Sequence, residues 1–249
     1  MVATDDKINR IIRAADEKKS KRDIGLRIAA YLNRFSEIEQ EELKNALNGC
    51  RDTTLDNIIK GRAFPKIPML VDLANRSNIP MCSFIDDNYT NIRAQRRYML
   101  LIHELDIKSK IKLLLRCWCE KYDMLQMYDK DCIEAIFDED KNMSSTLVGY
   151  MLKLQRVKNG ISRTKMSQLL GNGANSVANA ERGNNFYSFI TTLNMSKYVD
   201  SPIDFFYAGQ LKNKDLIIEY MLDDIFKDTT RTDEKFFMDY LMLYKGRVL

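Results

Sequence analysis

The residues with the most specific chemistry lie between Ser162 and Gly183, in the sequence S-R-T-K-M-S-Q-L-L-G-N-G-A-N-S-V-A-N-A-E-R-G. Apolar residues recur at helical spacing on both sides of a Gly-Asn-Gly break, which predicts two short helices that cross at a tight turn. Ser162 is a favourable N-cap for the first helix. The second helix has a face of short polar side chains, which suits the major groove of DNA because an asparagine amide pairs bidentately with adenine. That face comprises Ala174, Asn175, Ser176 and Asn179.

The span from Gly149 to Phe206 resembles the phage-repressor-like helix-turn-helix family, also called the lambda repressor or XRE family. The match runs without a gap to Gly183, and about one extra residue then precedes the family's closing pattern. Arg163 stands where a glutamine is usual in the family, and Tyr187 where a proline is common. The residues that carry the resemblance are Gly149, Leu152, Arg156, Met166, Gly171, Val177, Glu181, Gly183, Ile203, Asp204 and Phe206.

The resemblance implies that this segment binds double-stranded DNA. Between residues 147 and 207 there are seven lysines and arginines and three carboxylates, a net charge of +4, so we expect binding to depend on salt. The residues implied to contact bases are Arg163, Ala174, Asn175 and Asn179, with Ser176 on the same face. Those implied to contact phosphates are Arg182, Asn184 and Asn185.

A weaker copy of the same pattern begins at Ile24, at an offset of about 122 residues. Gly61 pairs with Gly183, and beyond the helix-turn-helix itself Tyr98-Met99-Leu100 pairs with Tyr220-Met221-Leu222. The turn near residue 49 is one residue longer in this copy. Such self-similarity predicts an internal duplication. In the first copy the resemblance implies base contacts from Gln40, Arg51, Thr53 and Asn57, and phosphate contacts from Arg62 and Lys66.

Composition favours an all-α fold, because the 249 residues include 10 glycines and 4 prolines and few alternating β-branched runs. We predict two tandem lambda-repressor-like helix-turn-helix domains, each followed by a two-helix extension. The predicted segments are an N-terminal helix (1–23, with its apolar periodicity at 5–19), a divergent first domain (24–86), its extension (87–127), a short helix and linker (128–146), the second domain (147–207) and a C-terminal extension (208–249).

The extension helices are predicted near residues 89–105, 108–126, 212–227 and 232–245. In the first pair, apolar and aromatic residues at helical spacing predict a buried face, and a surface for a partner protein is the alternative. The predicted face comprises Met99, Ile102, Leu105, Leu113, Leu114, Cys117, Trp118 and Leu125.

No catalytic residue, cofactor or metal site is expected. The one histidine, His103, is followed by Glu104 as in a zincin motif, but Ile107 stands where the second histidine would be needed. The five cysteines are scattered and lack metal-ligand spacing, which favours reduced, buried thiols. The sequence has neither the apolar run of about 18 residues that a membrane helix needs nor a signal peptide. We expect a cytoplasmic protein with no membrane partner, a monomer or weak homodimer.

The expected function is sequence-specific binding of double-stranded DNA. The protein is expected to be a transcriptional regulator, namely a repressor. Both copies bind DNA in one version of this hypothesis, which we favour, and only the second does in the other. Asp52 and Asp56 would lie near phosphates in the first copy, and Lys44 stands where the family has a small residue. One alternative is a protein-interaction or inhibitory accessory factor of a mobile element that uses the helical extensions. Another is a sensor with a small-molecule or peptide pocket between them.

Overall fold

Helices joined by turns make up the described part of the chain, which therefore has the all-α fold that its sequence predicts. The structure is a computed structural model. It describes residues 2–37, 40–42, 45, 52–85, 102–122, 135, 137, 145–173, 175–185 and 187–226.

Nine α-helices and two 3₁₀ helices are bounded within these ranges. They are α1 (Val2–Leu32), α2 (Asp52–Ile59), α3 (Ile67–Ser77), a first 3₁₀ helix (Met81–Phe84), α4 (Ile107–Tyr122), α5 (Ser145–Lys158), α6 (Arg163–Leu170), α7 (Ser176–Glu181), α8 (Phe189–Tyr198), a second 3₁₀ helix (Ile203–Gln210) and α9 (Lys214–Phe226).

The chain divides into two compact units. Unit 1 comprises Met1–Tyr89 and Ser188–Thr192, and unit 2 comprises Thr90–Tyr187 and Leu193–Leu249. In unit 1, α1 packs against α2 and the first 3₁₀ helix. In unit 2, α5 packs against α7 and the second 3₁₀ helix, and α9 packs against α4. None of the helices in the described ranges is long and apolar enough to cross a membrane.

Helix α1 is longer than the sequence pattern indicates. The short helix predicted at residues 5–19 and the first helix of the predicted first domain are one continuous helix of 31 residues. No proline interrupts it, and the segment from Glu17 to Arg22 consists mostly of good helix formers. The predicted boundary near residue 23 therefore lies within regular helix.

Gly25 and Gly149 mark two helix crossings that leave no room for a side chain. A Cβ atom placed on Gly25 would lie 2.3 Å from the carbonyl oxygen of Ile58 in α2. A Cβ atom placed on Gly149 would lie 2.4 Å from the carbonyl oxygen of Ala180 in α7. Each glycine lies inside a helix, where it lowers helix propensity, and the close approach of the neighbouring backbone explains its presence. Helix α1 thus contacts α2 as α5 contacts α7.

The backbone has the same conformation at further pairs of positions 122 residues apart. Asn78 and Asp200 are the non-glycine residues with positive φ in the described chain, at 53° and 43°. Each is followed two residues later by a proline that precedes a 3₁₀ helix, with φ −56° and ψ 144° at Pro80 and φ −54° and ψ 145° at Pro202. The two halves therefore share local conformation beyond the helix crossings at Gly25 and Gly149.

The spacing between paired glycines locates the difference in length between the halves. Gly61 and Gly183 both have positive φ, at 67° and 76°, and are 122 residues apart. Gly25 and Gly149 are 124 residues apart, so the first half has two more residues between its paired glycines. The sequence comparison predicts one extra residue. Since Leu32 is still buried in α1, we place both extra residues between α1 and α2.

The predicted apolar face of the first extension is confirmed where the structure describes it. Helix α4 begins at Ile107 and α9 at Lys214, each within two residues of its predicted start. Leu105 is half-buried, whereas Met99, Leu125 and the helix predicted at 232–245 lie outside the described residues. The buried members of the face are Ile102, Leu113, Leu114, Cys117 and Trp118.

Candidate nucleic-acid interface

Helix α6 has both of the ends that its sequence predicts. The hydroxyl of Ser162 accepts a hydrogen bond from the backbone amide of Lys165 at 3.1 Å, which caps the first turn. Gly171 ends the helix in the left-handed conformation, with φ 65°, and its amide donates to the carbonyl of Gln168. Gly173, the second glycine of the Gly-Asn-Gly break, does not have a positive φ. The two predicted helices and the turn between them are confirmed.

The inner faces of α6 and α7 are buried as predicted. Met166 and Val177 have no exposed surface, and Ala180 is 1% exposed. Ser167, the small residue expected at the crossing of the two helices, is 2% exposed. Leu169 and Leu170 are half-buried. The apolar side of α7 is therefore turned inward, which leaves its polar side on the surface.

The outer face of α7 continues into the loop that follows it. Asn175, just before the helix, is exposed and its side chain makes no capping hydrogen bond. Ser176 and Asn179 are half-exposed. The amide of Asn184 donates to the carbonyl of Asn179 at 3.0 Å, which keeps the loop beside the helix. Arg182, Asn184 and Asn185 are exposed, and Ala174 lies outside the described residues.

A buried carboxylate joins α5, α6 and α7. Glu181, whose side chain is 2% exposed, accepts hydrogen bonds from Nε and Nη2 of Arg156 at 2.5 and 3.2 Å. It also accepts one from Nε of Arg163 at 2.7 Å. Arg156 is itself buried and donates through Nη1 to the carbonyl of Ile161 at 2.5 Å. One negative charge thus lies between two guanidinium groups, and the cluster carries a net charge of +1.

Arg163 is the solvent-facing member of this cluster. Its side chain is 47% exposed, and its bond to Glu181 uses one of the five N–H donors of a guanidinium. The sequence indicated that Arg163 contacts a base, but did not indicate that Glu181 orients it. No signal along the chain indicates this contact, because Arg163 and Glu181 are 18 residues apart in the sequence.

Not all of the predicted basic residues are exposed. Arg156 is buried against Glu181, and Lys158 is paired with Asp224 of α9. Lys165 and Arg182 are exposed, at the start of α6 and directly after α7. The positive charge available at the surface near α7 therefore comes from Arg163, Lys165 and Arg182.

Tyr187 follows α7 in the chain and is half-buried. Its burial raises the pKa of the phenol to about 12, with a smaller contribution in the same direction from the charge of Glu181. The hydroxyl of Ser176 acts in the opposite direction. The phenol is therefore neutral in the folded chain, and it packs near the start of α7.

In the first copy, α2 has the same division into an inner and an outer face. Leu55 and Ile58 are 5% and 0% exposed. Asn57 is half-exposed and corresponds to Asn179 at the 122-residue offset. The carbonyl of Asn57 accepts the amide of Arg62 at 2.7 Å, as the carbonyl of Asn179 accepts that of Asn184.

The remaining predicted residues of the first copy have different positions. Arg62 and Lys66 are exposed. Thr53 lies in α2, but its side chain and Arg51 are outside the described residues. Gln40 is helical, and its backbone amide donates to the carbonyl of Ser36 at 2.9 Å. Its side-chain amide donates to the carbonyl of Phe35 at 2.9 Å.

The buried ion pair of the second copy has no ionic counterpart in the first. Leu32 corresponds to Arg156 at the 124-residue offset that relates Gly25 to Gly149. Ile59 corresponds to Glu181 at the 122-residue offset that relates Gly61 to Gly183. Leu32 is 3% exposed and Ile59 is half-buried. The first copy therefore has two apolar residues where the second has a charge pair.

The titratable residues outside this region do not form a metal site in the described part of the chain. No group of three histidine, cysteine or acidic side chains in those ranges is arranged to hold a metal ion. Nδ1 of His103 lies 3.0 Å from Oε1 of Glu219. Cys82 and Cys117 are buried thiols outside any disulfide, as the sequence predicts, and Cys50 and Cys132 lie outside the described residues.

The chain matches no protein-family model, no curated protein and no solved structure. Its function is therefore inferred from the geometry of α6, α7 and their counterparts in unit 1.

Proposed function

We propose that the chain is a sequence-specific, double-stranded DNA-binding transcriptional regulator, a repressor, in which α7 is a recognition helix. The observation that carries the proposal is the division of α7 into two faces. Val177 and Ala180 are buried, while Asn175 is exposed and Asn179 half-exposed on the other side. Asparagine amides on an outward helix face are suited to adenine in the major groove.

The electrostatics of α6 and α7 favour an anionic partner. Arg163, Lys165 and Arg182 are exposed near the two helices. Because Arg156 neutralises Glu181 from inside, the carboxylate does not cancel the charge of Arg163. The N-terminus of α6 adds the partial positive charge of a helix end, which attracts phosphate groups. In a helix-turn-helix protein the first helix crosses the DNA backbone, so Lys165, Arg182 and the N-terminus of α6 would contact phosphates while Arg163 and α7 contact bases.

The first copy is proposed as a second DNA-binding element. Asn57 has the same place relative to α2 as Asn179 has relative to α7, and Arg62 and Lys66 are exposed beyond it. Lys60 is paired with Asp56 at 2.7 Å, but both side chains are more than half exposed. Exposed pairs of this kind contribute little and exchange readily for a phosphate. We therefore favour binding to two half-sites about one helical turn apart.

The protein-interaction alternative has less support from the described residues. It requires the extension helices to offer a surface to a partner. The predicted apolar face of α4 is buried, and α4 packs against α9 within unit 2. Because this face is used inside the chain, we keep DNA binding as the proposal.

The proposal is tested by selecting bound sequences from a random duplex pool and measuring the affinity of the selected duplex against salt. Phosphate contacts from Lys165 and Arg182 of the second copy and from Arg62 and Lys66 of the first give a slope of log affinity against log salt of about −3.6. Asn179→Ala should weaken binding of the selected duplex by about 5- to 150-fold, the range for one bidentate base contact.

Asn194→Ala is the matched control, because Asn194 is half-exposed on α8 and outside the predicted site. It should leave affinity unchanged. Equal effects of the two substitutions, or no enrichment of any sequence, would count against α7 as a recognition helix. Recovery of one half-site instead of two would restrict DNA binding to the second copy.

A further inference from the structure

A buried lysine joins the two helical extensions. Lys110, in α4, is 1% exposed, and its Nζ atom donates to both carboxylate oxygens of Asp215 and to Oε1 of Glu219, each at 2.8 Å. Both acids lie in α9. Helix α4 follows the first copy in sequence and α9 follows the second. The contact therefore connects the extension of one copy with that of the other.

The arrangement of charge around Lys110 is specific. The side chain of Glu219 is 3% exposed and that of Asp215 is 44% exposed, so the ammonium has one buried and one partly solvated carboxylate. The exposed ring of His103 also contacts Glu219. A buried ion pair adds little to stability compared with apolar residues, but removing one partner is strongly unfavourable. We therefore expect such a cluster to determine which partner binds rather than to increase stability.

The sequence counterparts of the two acids have the opposite charge. The pairing of Tyr98-Met99-Leu100 with Tyr220-Met221-Leu222 fixes the offset at 122 residues in this region. At that offset Arg93 and Arg97 correspond to Asp215 and Glu219. Thr232, which is followed by Asp233 and Glu234, corresponds to Lys110. These counterparts lie outside the described residues, and the comparison concerns their sequence alone.

We propose that this charge inversion makes the two extensions a complementary pair, so that the extension of the first copy binds that of the second and rejects another copy of itself. A pair of two first extensions would combine Lys110 with arginine at both of the sequence positions, 93 and 97, where the second extension has its carboxylates. Like charges at a contact are a strong element of specificity against a wrong partner. The occupant of the α4 surface is thus the chain's own C-terminal extension. The inference does not depend on whether either copy binds DNA.

The test uses two full-length variants whose own extensions repel. The first is Lys110→Glu, which places a carboxylate against Asp215 and Glu219. The second is Asp215→Lys with Glu219→Lys, which places two ammonium groups against Lys110. Each variant alone should be a monomer with a melting temperature lowered by roughly 6–20 °C.

Mixed in equal amounts, the two variants should pair reciprocally. The carboxylate introduced at position 110 faces two carboxylates in its own chain and has no cation to pair with there. In the second variant it can pair with the ammonium groups introduced at positions 215 and 219. The converse contact is the native one. Sedimentation or light scattering should then show a 1:1 dimer of twice the 29.1 kDa chain mass. The matched control combines all three substitutions in one chain, and it should be monomeric with its melting temperature recovered.

Three results would overturn the proposal. They are a mixture that stays monomeric, a triple variant no more stable than the two parent variants, or a wild-type chain that forms a homodimer through α4. If Lys110→Glu alone does not fold, the mixture must still yield the soluble 1:1 dimer, and its failure to do so counts against the proposal.

Discussion

Replacement of Arg156 by leucine tests the role of the buried carboxylate in unit 2. The substitution copies Leu32, the residue at the same place in the first copy. It removes both hydrogen bonds from Arg156 to Glu181, at 2.5 and 3.2 Å, and the bond to the carbonyl of Ile161. Glu181 keeps its 2.7 Å bond from Arg163, whose side chain is 47% exposed. The carboxylate is then buried with one partly solvated partner.

The size of the effect follows from this geometry. Breaking a buried ion pair by removing one partner costs about 3–5 kcal/mol. Because Arg163 remains, we expect Arg156→Leu to lower the free energy of unfolding by about 3 kcal/mol, near the lower limit. For a chain of this size, 1 kcal/mol corresponds to about 2–4 °C, so the melting temperature should fall by roughly 6–12 °C.

The assay is urea unfolding followed by the fluorescence of Trp118. This is the one tryptophan of the chain, it is 3% exposed, and it belongs to unit 2 together with α5, α6 and α7. The double variant with Arg156→Leu and Glu181→Ile copies the apolar pair of the first copy. It should return to within about 1 kcal/mol of the wild type, because an apolar pair replaces a buried ion pair at little cost.

Arg163→Leu is the control for loss of a guanidinium that is largely solvated. It should cost less than about 1 kcal/mol, as exposed ion pairs do. The reasoning fails if Arg156→Leu costs no more than Arg163→Leu. It also fails if the double variant is as unstable as Arg156→Leu alone.

Three further predictions concern a helix crossing and two titratable groups. Gly149→Ala should destabilise unit 2 by about 1–3 kcal/mol, since its Cβ would lie 2.4 Å from a backbone oxygen. Gly173→Ala, with nothing within 4 Å of its Cβ, should leave thermal unfolding nearly unchanged, and equal effects would contradict the crossing. Hydrogen bonds from the hydroxyl and the amide of Ser109 lower the pKa of Asp106 in the folded chain. The ionised carboxylate therefore stabilises the fold above the unfolded-state pKa of Asp106. This stabilisation is lost as the pH falls through the lower pKa of the folded state. Asp106→Ala should cost about 0.5–2 kcal/mol at neutral pH, as other N-caps do, and the difference from wild type should vanish in acid-titrated unfolding curves. A difference that persists in acid would contradict the capping role of the carboxylate. The pKa of Tyr187 is raised from 10.0 to about 12, so the wild type should lose stability as pH rises between these values, because the unfolded chain releases its proton first. Tyr187→Phe should lose less over that interval in the same alkaline unfolding series, and parallel curves for the two proteins would show that the phenol is not buried.

The sequence predicted the features that depend on neighbours along the chain. The cap at Ser162 is set by a bond across three residues, and the left-handed turn at Gly171 by the residue type itself. The inward direction of Val177 follows from helical periodicity. Each of these is confirmed because tertiary contacts reinforce the local preference.

The features that the sequence did not predict depend on residues that are distant along the chain. The burial of Lys110 could not be foreseen, because a lysine is rarely buried and its partners are 105 and 109 residues away. The shared carboxylate of Glu181 was also not foreseen, since its two arginines are 18 and 25 residues from it. Periodicity identifies the face of a helix, but it does not identify which helix will cover that face.

The exchange of an ion pair for an apolar pair between the copies also bears on how the chain avoids misassembly while it folds. A chain with two similar helix crossings can pair the first helix of one crossing with the last helix of the other, a recognised failure of repeated domains. If α5 packed on α2, Arg156 would be buried beside Ile59 without a carboxylate. If α1 packed on α7, Glu181 would be buried beside Leu32 without Arg156. The first mispaired intermediate contains a buried arginine with no carboxylate, and the second a buried carboxylate that keeps only its bond from Arg163. Both are less stable than the native pairing, which favours packing of each first helix on its own partner.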